Sequence, residues 1–139
     1  MKISAKRMAI LREHIRAESE HDMDALLAGM TSDCFNDVAG IPKPFVGPEQ
    51  TAERYRKHWE GFPDFTVRVR RVLCADESCV VTENEWRGTH LGAFLGWPAT
   101  GKPGAHARDS CLAFQGKRFV GRNGIFRQRI TSKANWRVD

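Results

Sequence analysis

The stretch from Trp86 to Phe114, WRGTHLGAFLGWPATGKPGAHARDSCLAF, decides the fold of this chain. It opens with the end of an alternating polar and apolar run that begins at Cys79 and predicts a half-buried strand. Glycine and proline interrupt the alternation between Gly92 and Gly101, which indicates a loop. A further strand is predicted from His106 to Phe114. Two long strands joined by a glycine-rich loop therefore form the middle of the expected sheet.

The residues before this stretch predict three helices, over residues 4–20, 24–30 and 47–61. In the first helix Met8, Leu11 and Ile15 recur at steps of three and four, and Ser4 is a suitable cap. From Phe65 the apolar residues alternate at every second position instead. The predicted strands cover residues 34–38, 64–73, 79–90, 106–114 and 118–130. This order predicts an α+β fold with helices on one face of a curved antiparallel sheet.

Length and composition indicate one globular domain. The chain has 139 residues, of which 41% are hydrophobic and 28% are charged, close to the average for soluble domains. We therefore expect a single domain over residues 1–139, with its core between about 5 and 130 and an irregular tail over residues 131–139.

The net charge of +5 raises the question of a nucleic-acid partner. The arginines are divided between two predicted strands, with no aromatic RNA-binding signature between them. They are Arg68, Arg70 and Arg71 in one strand and Arg118, Arg122, Arg127 and Arg129 in the other. A solvated outer face of the sheet is the favoured interpretation and a polyanion site is the alternative, so we expect no nucleic-acid partner.

The cysteines and the first residues of the chain exclude other classes of site. Cys34, Cys74, Cys79 and Cys111 lack zinc-site spacing and the density of a disulfide scaffold, so we expect reduced thiols, no metal and no cofactor. The first 22 residues carry a charge every few positions, unlike a signal peptide or a membrane helix. We expect a cytoplasmic protein without a membrane partner.

Residues 86–114 resemble the SnoaL-like polyketide cyclase family. In that family a strand ending in G-T-H-x-G runs through L-G-x-P-x-T-G into a strand bearing an aspartate, here Asp109. HDMDALLAGMTSDC, GPEQ and FPDF extend the resemblance to residues 8–126, although Arg127 stands where members commonly carry aspartate. The resemblance implies the cone-shaped curved sheet and three helices (an α+β barrel) of the nuclear transport factor 2 and ketosteroid isomerase superfamily, and a homodimer.

The resemblance implies an acid/base role for Asp109, because an aspartate on this strand serves an intramolecular aldol closure in characterised cyclases. Alternation along the strand groups Asp109 with Cys111 and Ala113, an apolar face on which burial raises the pKa of a carboxyl group. The alternative is a structural Asp109 that pairs with an arginine or with a backbone donor.

His90 ends its predicted strand in phase with Asn84 and Trp86, so its ring can reach the mouth of a pocket. There it can form a hydrogen bond with an enolate oxygen or with Asp109, or it can satisfy loop carbonyls instead. His58 on the third helix is a further candidate, for which packing or exposure is the more usual role. Asn84 and Asn123 are candidate polar contacts in the pocket.

Large aromatic side chains suit a small apolar or aromatic ligand, and they also suit a filled core. They are Trp59, Trp86, Phe94 and Trp97. Core filling is favoured for Trp59. Phe94 and Trp97 lie in the glycine-bounded loop, where we expect a lid or a dimer contact.

Two functions remain open from the sequence. The first is a cofactor-free acid/base enzyme acting α to a carbonyl, as a polyketide-type aldol cyclase or an isomerase, with hydrolysis of a small apolar compound also open. The second is a noncatalytic small-molecule binding or interaction domain of the same fold.

Overall fold

The computed structural model describes residues 3–38, 41–115 and 118–123, and the side chains among them except those at 106, 108, 109, 111–115 and 118–123. The helices are α1 (Ala5–Glu20), α2 (Met23–Ala28) and α3 (Gly47–Gly61). The strands are β1 (Met30–Asp37), β2 (Phe45–Val46), β3 (Thr66–Ala75), β4 (Cys79–Thr89), β5 (Pro103–Gln115) and β6 (Arg118–Asn123). The predicted α+β fold with three helices in its first half is confirmed.

The helices begin and end where local signals place them. Ser4 accepts a hydrogen bond from the Arg7 amide, and Asp22 accepts one from the Ala25 amide at 3.0 Å. Both are side-chain caps of helix N-termini. Pro48 lies in the first turn of α3, where its missing N–H is not needed. The helix boundaries are therefore encoded close to where they occur.

The six strands form one sheet in the order β2-β1-β6-β5-β4-β3. Neighbouring strands are antiparallel except β1 and β6, which are parallel, so the sheet is mixed rather than wholly antiparallel as predicted. The longest uninterrupted ladder joins β4 to β5, from Cys79 opposite Ala113 to Thr89 opposite Pro103. Strand β5 begins three residues earlier than predicted, because proline is tolerated at the first position of a strand. Residues 124–139, including the predicted tail, lie outside the described part of the chain.

Strand β4 has two distinct faces. Val80, Thr82, Asn84 and Trp86 alternate along one face and are at most 1% exposed. We call these four residues the inner row, and the face of the sheet that carries it the inner face. The helices cover this face, since Leu11 of α1 and Tyr55 of α3 share an apolar cluster with Val80. The helices and the inner face therefore enclose the core.

Apolar clusters occupy the two ends of the β3–β4 hairpin. Ala75 and Val80, which flank the turn, belong to one cluster. Phe65, Val67 and Trp86 form the other, at the opposite end. The inner-row residues between these clusters, Thr82 and Asn84, are polar.

The outer face of the hairpin carries paired charges. Arg68 Nε lies 3.0 Å from Glu85 Oε1, and Arg71 Nη2 lies 2.9 Å from Glu83 Oε2. All three arginines of β3 are exposed, as the sequence predicted for a solvated face. Among the described residues, no helix combines the length and the apolar character needed to cross a membrane.

Candidate functional site

The polar part of the inner row presents hydrogen-bonding atoms to the interior. Asn84 Nδ2 donates to Ser110 Oγ of β5 at 3.0 Å, and both residues are fully buried. Asn84 Oδ1 and Thr82 Oγ1 have no hydrogen-bond partner among the described residues. Buried polar atoms are nearly always paired in folded proteins. These two atoms are therefore available to something other than the described chain.

Asn36 of β1 adds a second polar group to the inner face. It is 1% exposed, and neither its amide nitrogen nor its amide oxygen has a partner among the described residues. The backbone register runs from Asn36 across Arg122 and Leu112 to Val80 of the inner row. Three strand spacings correspond to about 14 Å along a flat sheet, and curvature shortens the direct path. Asn36 thus belongs to the same enclosed face as Thr82 and Asn84.

Helix α3 faces the sheet with a polar stripe. Its buried side chains Thr51, Arg54, Tyr55 and His58 recur at helical spacing. The Thr51 hydroxyl lies 3.9 Å from the Cys34 thiol of β1, whose pKa is raised by burial. We define the polar interior as the buried polar side chains of α3 and of the inner face. They are Asn36, Thr51, Arg54, His58, Thr82, Asn84 and Ser110.

His58 stands at one end of the polar interior among aromatic rings. The ring centroids of Phe62, Phe65, Trp86 and Phe94 lie 4.5–5.4 Å from that of His58, and three of the four contacts are edge-on. Trp86, which the sequence predicts to contact substrate, therefore belongs both to this aromatic group and to the inner row. His58 is buried, and its role in binding substrate stays a prediction.

His90 is also buried, and it ties the glycine-rich loop to the sheet. Its Nδ1 lies 3.2 Å from Thr100 Oγ1, and its ring stacks on Phe62 with centroids 5.1 Å apart. Its backbone oxygen accepts hydrogen bonds from the amides of Thr100 and Gly101. The ring thus contacts a loop hydroxyl, and both predicted roles for His90, a hydrogen bond in the pocket and a hydrogen bond to loop carbonyls, stay predictions.

The register of β5 gives the backbone position of Asp109. In the ladder with β4, Asp109 is opposite Glu83, while Ser110 is opposite Thr82 and Arg108 is opposite Asn84. Ser110, which is buried, therefore shares a row with Thr82, and Asp109 has a register position in the row of Glu83, because neighbouring strands share their alternation. The side chains of Asp109 and of Asn123 lie outside the described part, so their predicted roles stay predictions.

The remaining aromatic candidates have separate positions. Phe94 is half-buried against His58, and its side chain fits beside Gly61, where an added Cβ would come within 2.9 Å of it. Trp97 is 49% exposed on the same loop. Trp59 stacks on His21 with centroids 4.7 Å apart, on the α1 side of α3, as expected for core filling. The predicted lid or dimer contact at Phe94 and Trp97 stays untested.

Helix α1 carries a buried ionisable pair that the sequence pattern did not predict. His14 Nε2 lies 3.7 Å from Glu18 Oε2, and Glu18 is only 1% exposed. Ser4 contacts Glu77 at the β3–β4 turn, and Ser19 donates to the Val67 carbonyl at the other end of the hairpin. The pair therefore lies alongside the middle and far part of the hairpin. The sequence signal for this pair is the i, i+4 spacing of His14 and Glu18, which lie on the same face of the helix as the apolar Leu11.

The described residues contain no group of three or more His, Cys, Asp or Glu side chains arranged to hold a metal ion. The titratable groups of the interior instead include His14, Glu18 and His58, spread over two helices. Buried hydrogen-bond donors and acceptors thus lie on the sheet and on α3, and buried proton carriers lie on α1 and α3. Such a set can bind an oxygen-bearing molecule and can move a proton.

The chain is similar to members of one protein family in sequence and in structure. A family model described as SnoaL-like polyketide cyclase matches residues 9–126. A Jannaschia sp. CCS1 structure described as a SnoaL-like polyketide cyclase is 19% identical, with a TM-score of 0.79 and 88% of each chain covered. An Acidithiobacillus ferrooxidans structure described as a polyketide cyclase is 26% identical, with a TM-score of 0.70 and 88% of each chain covered.

A more distant structure shares the fold. An M. tuberculosis epoxide hydrolase described as LEH-like is 16% identical, with a TM-score of 0.67, and the match covers 86% of this chain and 80% of that one. No curated protein sequence matches the chain significantly. The structural likenesses therefore concern the fold, on which more than one chemistry is found.

Proposed function

The chain belongs to the SnoaL-like polyketide cyclase family, and from this premise we propose that it is a cofactor-free acid/base enzyme acting α to a carbonyl. The reaction class is aldol cyclisation of a polyketide-type compound or isomerisation of a ketone. Both begin with the same step, removal of a proton from the carbon next to a carbonyl group. The noncatalytic alternative is a small-molecule binding domain that uses the same interior.

One observation carries the proposal, namely the hydrogen-bonding atoms of Asn36, Thr82 and Asn84 that have no partner among the described residues. An unsatisfied buried polar group costs about 1–3 kcal/mol of stability. Three residues of this kind on one enclosed face are hard to explain by folding alone. A bound molecule with oxygen atoms supplies the missing partners, which is why polar groups converge in ligand sites.

The donors match the charge that develops in this chemistry. When a base removes the α proton, the C–H electron pair forms a carbon–carbon double bond and the carbonyl oxygen becomes an enolate. The Asn36 amide N–H groups and the Thr82 hydroxyl can donate to that oxygen, while Asn84 Oδ1 can accept from a hydroxyl of the substrate. The enolate then attacks a second carbonyl, or it regains a proton at another carbon.

The buried His14 and Glu18 pair is the acid/base group that we assign to this step. A carboxylate and an imidazole 3.7 Å apart, both shielded from water, can take up a proton and return it. Asp109 is the rival assignment, based on the family resemblance. The register of β5 supports Glu18, because it puts Asp109 in the row of Glu83.

Proton exchange tests the activity without knowledge of the natural substrate. In D₂O, loss of the α-proton NMR signals of 2-tetralone, 2-indanone and ethyl acetoacetate would be followed with and without protein. We expect exchange above the buffer rate for at least one ketone. No exchange with any of them, together with measurable binding, would instead support the noncatalytic alternative.

Variants of one helix identify the base. Glu18→Gln should lower the exchange rate at least about 100-fold, the usual lower bound for general acid/base catalysis. Glu20→Gln is the matched control, since Glu20 lies on the same helix, is exposed and pairs with Arg16. It should leave the rate within about twofold. A loss with Asp109→Asn but none with Glu18→Gln would assign the base to Asp109.

A further inference from the structure

A groove runs between helix α1 and strand β3, which is an edge strand of the described sheet. Its volume is about 310 Å³, within the range of small-molecule pockets, whereas packed interiors leave few voids larger than a water molecule. Six of the side chains that line it are apolar, and none of the described lining residues carries an aromatic ring. They are Met8, Leu11 and Ile15 of α1 and Val67, Val69 and Val72 of β3. This lining fits an alkyl chain, since it offers no flat surface on which a ring could stack.

Hydrogen bonds fasten α1 to the β3–β4 hairpin on either side of the groove. Just before the helix begins, the Ser4 amide donates to Glu77 Oε1 at 2.6 Å, in the turn of the hairpin. Near the end of the helix, Ser19 Oγ donates to the Val67 carbonyl at 2.8 Å and accepts from the Val67 amide at 3.0 Å. The groove lies between these two attachments, so the spacing of its walls is set by the fold.

Two irregularities in β3 turn its valines toward the groove. The register with β4 shifts directly after Val69 and again after Val72. These valines are three positions apart, so regular alternation would put them on opposite faces of the sheet. Because of the first shift they are instead opposite Asn84 and Thr82, and both line the groove. Bulges of this kind often re-aim side chains next to active sites.

The groove joins the surface to the polar part of the inner row. Two exposed arginines, Arg12 and Arg68, also line it, so it opens to solvent on their side. Residues opposite each other in antiparallel strands have Cα atoms about 4.5–5.5 Å apart. The two valines therefore lie next to Asn84 and Thr82, whose Oδ1 and Oγ1 atoms have no partner among the described residues. An apolar groove and unsatisfied polar atoms thus adjoin.

We infer that the ligand of the polar interior carries an unbranched alkyl chain, and that this chain lies in the groove between α1 and β3. The inference rests on the proposed function, because it takes the oxygen-bearing end of the ligand to lie at Thr82 and Asn84. Helix α1 then forms one wall of the groove and also carries His14 and Glu18, the pair that we assign to proton transfer. The substrate class is an alkyl ketone or an ester of comparable shape.

A series of linear ketones tests the chain directly. We would titrate the full chain at pH 7 with 2-butanone, 2-hexanone and 2-octanone, and follow the methyl signals of Met8 and Ile15 in ¹³C-labelled protein by NMR. Each added methylene should tighten the binding about threefold, as expected for burial of apolar surface. An affinity that does not rise along the series, or binding that leaves both methyl signals unmoved, overturns the inference.

Two adjacent positions of β3 provide matched variants. Val72 lines the groove and is 43% exposed, whereas Leu73 is 46% exposed and is not among the residues that line it. Val72→Asp should weaken the binding of 2-octanone at least about tenfold, because the chain would take water from a carboxylate. Leu73→Asp should leave the binding within about twofold. Equal effects of the two substitutions overturn the inference.

A milder substitution at the same position covers the case in which Val72→Asp does not fold. Val72→Thr keeps the branched shape and adds a hydroxyl, so it should weaken the binding of 2-octanone at least about threefold. Unchanged binding in this variant overturns the inference. Met8 signals that shift with protein concentration alone, without any ketone, mean that a second copy of the chain covers the groove, and they overturn it as well.

Proton exchange separates this inference from the proposed function. Exchange of the ketone probes in D₂O, with rates and affinities that do not depend on chain length, overturns the inference and leaves the enzyme proposal intact. Binding that tightens with chain length and requires Val72, in a protein that exchanges the α protons of none of the ketones, supports the inference and overturns the enzyme proposal.

Discussion

The two faces of β4 treat their polar residues in opposite ways. On the outer face, Glu83 and Glu85 pair with arginines of β3 at about the distance of a hydrogen bond. On the inner face, Thr82 and Asn84 are fully buried and keep hydrogen-bonding atoms without a partner among the described residues. Glu83 and Glu85 on the outer face therefore have partners within the chain. Under the proposed function, a bound molecule supplies the partners that the inner face lacks.

The polar groups of the two faces contribute to the stability of the fold with opposite signs. An exposed ion pair contributes about 0–1 kcal/mol to stability. A buried polar atom without a partner instead lowers stability by about 1–3 kcal/mol. Such a penalty is common where function limits stability. The inner face therefore has the energetic pattern of a binding site.

The largest expected effect concerns the apolar end of the inner row. Trp86→Ala should lower the free energy of unfolding by about 3–5 kcal/mol, because it leaves a cavity beside Phe65 and His58. Urea denaturation followed by circular dichroism measures the loss. Trp97→Ala is the control, since Trp97 is exposed, and it should change stability by less than about 0.5 kcal/mol. Similar losses in both variants would contradict the claim that Trp86 is a core residue and Trp97 a surface residue.

Removing an unpartnered hydroxyl should stabilise the protein. Thr82→Val keeps the shape of the side chain and deletes the buried polar atom, so the free energy of unfolding should rise by about 1 kcal/mol. Thr89→Val in the same strand should lower it, because Thr89 Oγ1 donates to Asp64 at 2.6 Å. Thermal unfolding compares the two. If Thr82→Val is destabilised instead, the Thr82 hydroxyl already has a hydrogen-bond partner, and Thr82 no longer supports the proposed site.

A smaller effect depends on pH at the rim of the same strand. The Thr89 hydroxyl and backbone amide hold the pKa of Asp64 below its ordinary value. This stabilisation is present above the unfolded pKa of about 3.9 and is lost as pH falls through the lower folded pKa. Asp64→Asn should therefore reduce the drop in melting temperature between pH 5 and pH 3. Parallel melting curves for variant and parent across that range would rule out this linkage.

The smallest effect belongs to the outer face. Glu85 accepts from both Arg68 and Arg87, and these hydrogen bonds lower its pKa. Glu85→Gln should lower stability by about 0.2–1 kcal/mol, with most of the difference gone in 1 M salt. Urea denaturation at low and high salt measures it. A loss above 2 kcal/mol that persists in salt would mean that the outer face is not simply solvated.

Much of the fold could be predicted because its signals are local. Ser4 and Asp22 mark helix starts, and period-two alternation marks the long strands. The parallel pairing of β1 with β6 could not be predicted, because it joins segments far apart in sequence. The short strand β2 also carries no pattern of its own.

The burial of candidate site residues could be predicted only where the pattern of a single strand was enough. Asn84, Trp86 and His90 share a phase within a single run, and all three are buried. The row of Asp109 depends instead on its register against β4, and a slip of one residue exchanges the two faces. Asn36 was not predicted because it lies three strand spacings from the inner row, and that pairing is not visible in the sequence. Glu18 was not predicted because the sequence does not show which polar positions of a helix other elements will cover.

The side-chain amide signals of Asn36 and Asn84 test the central claim most directly. Titration of ¹⁵N-labelled protein with 2-octanone or 2-tetralone, followed by NMR, reports on these groups as they gain partners. We predict saturable shifts for both amides and none for Gln50, an exposed amide whose oxygen bonds to Val46 N. Saturable binding that leaves the signals of Asn36 and Asn84 unmoved would contradict the claim that the polar interior is the ligand site.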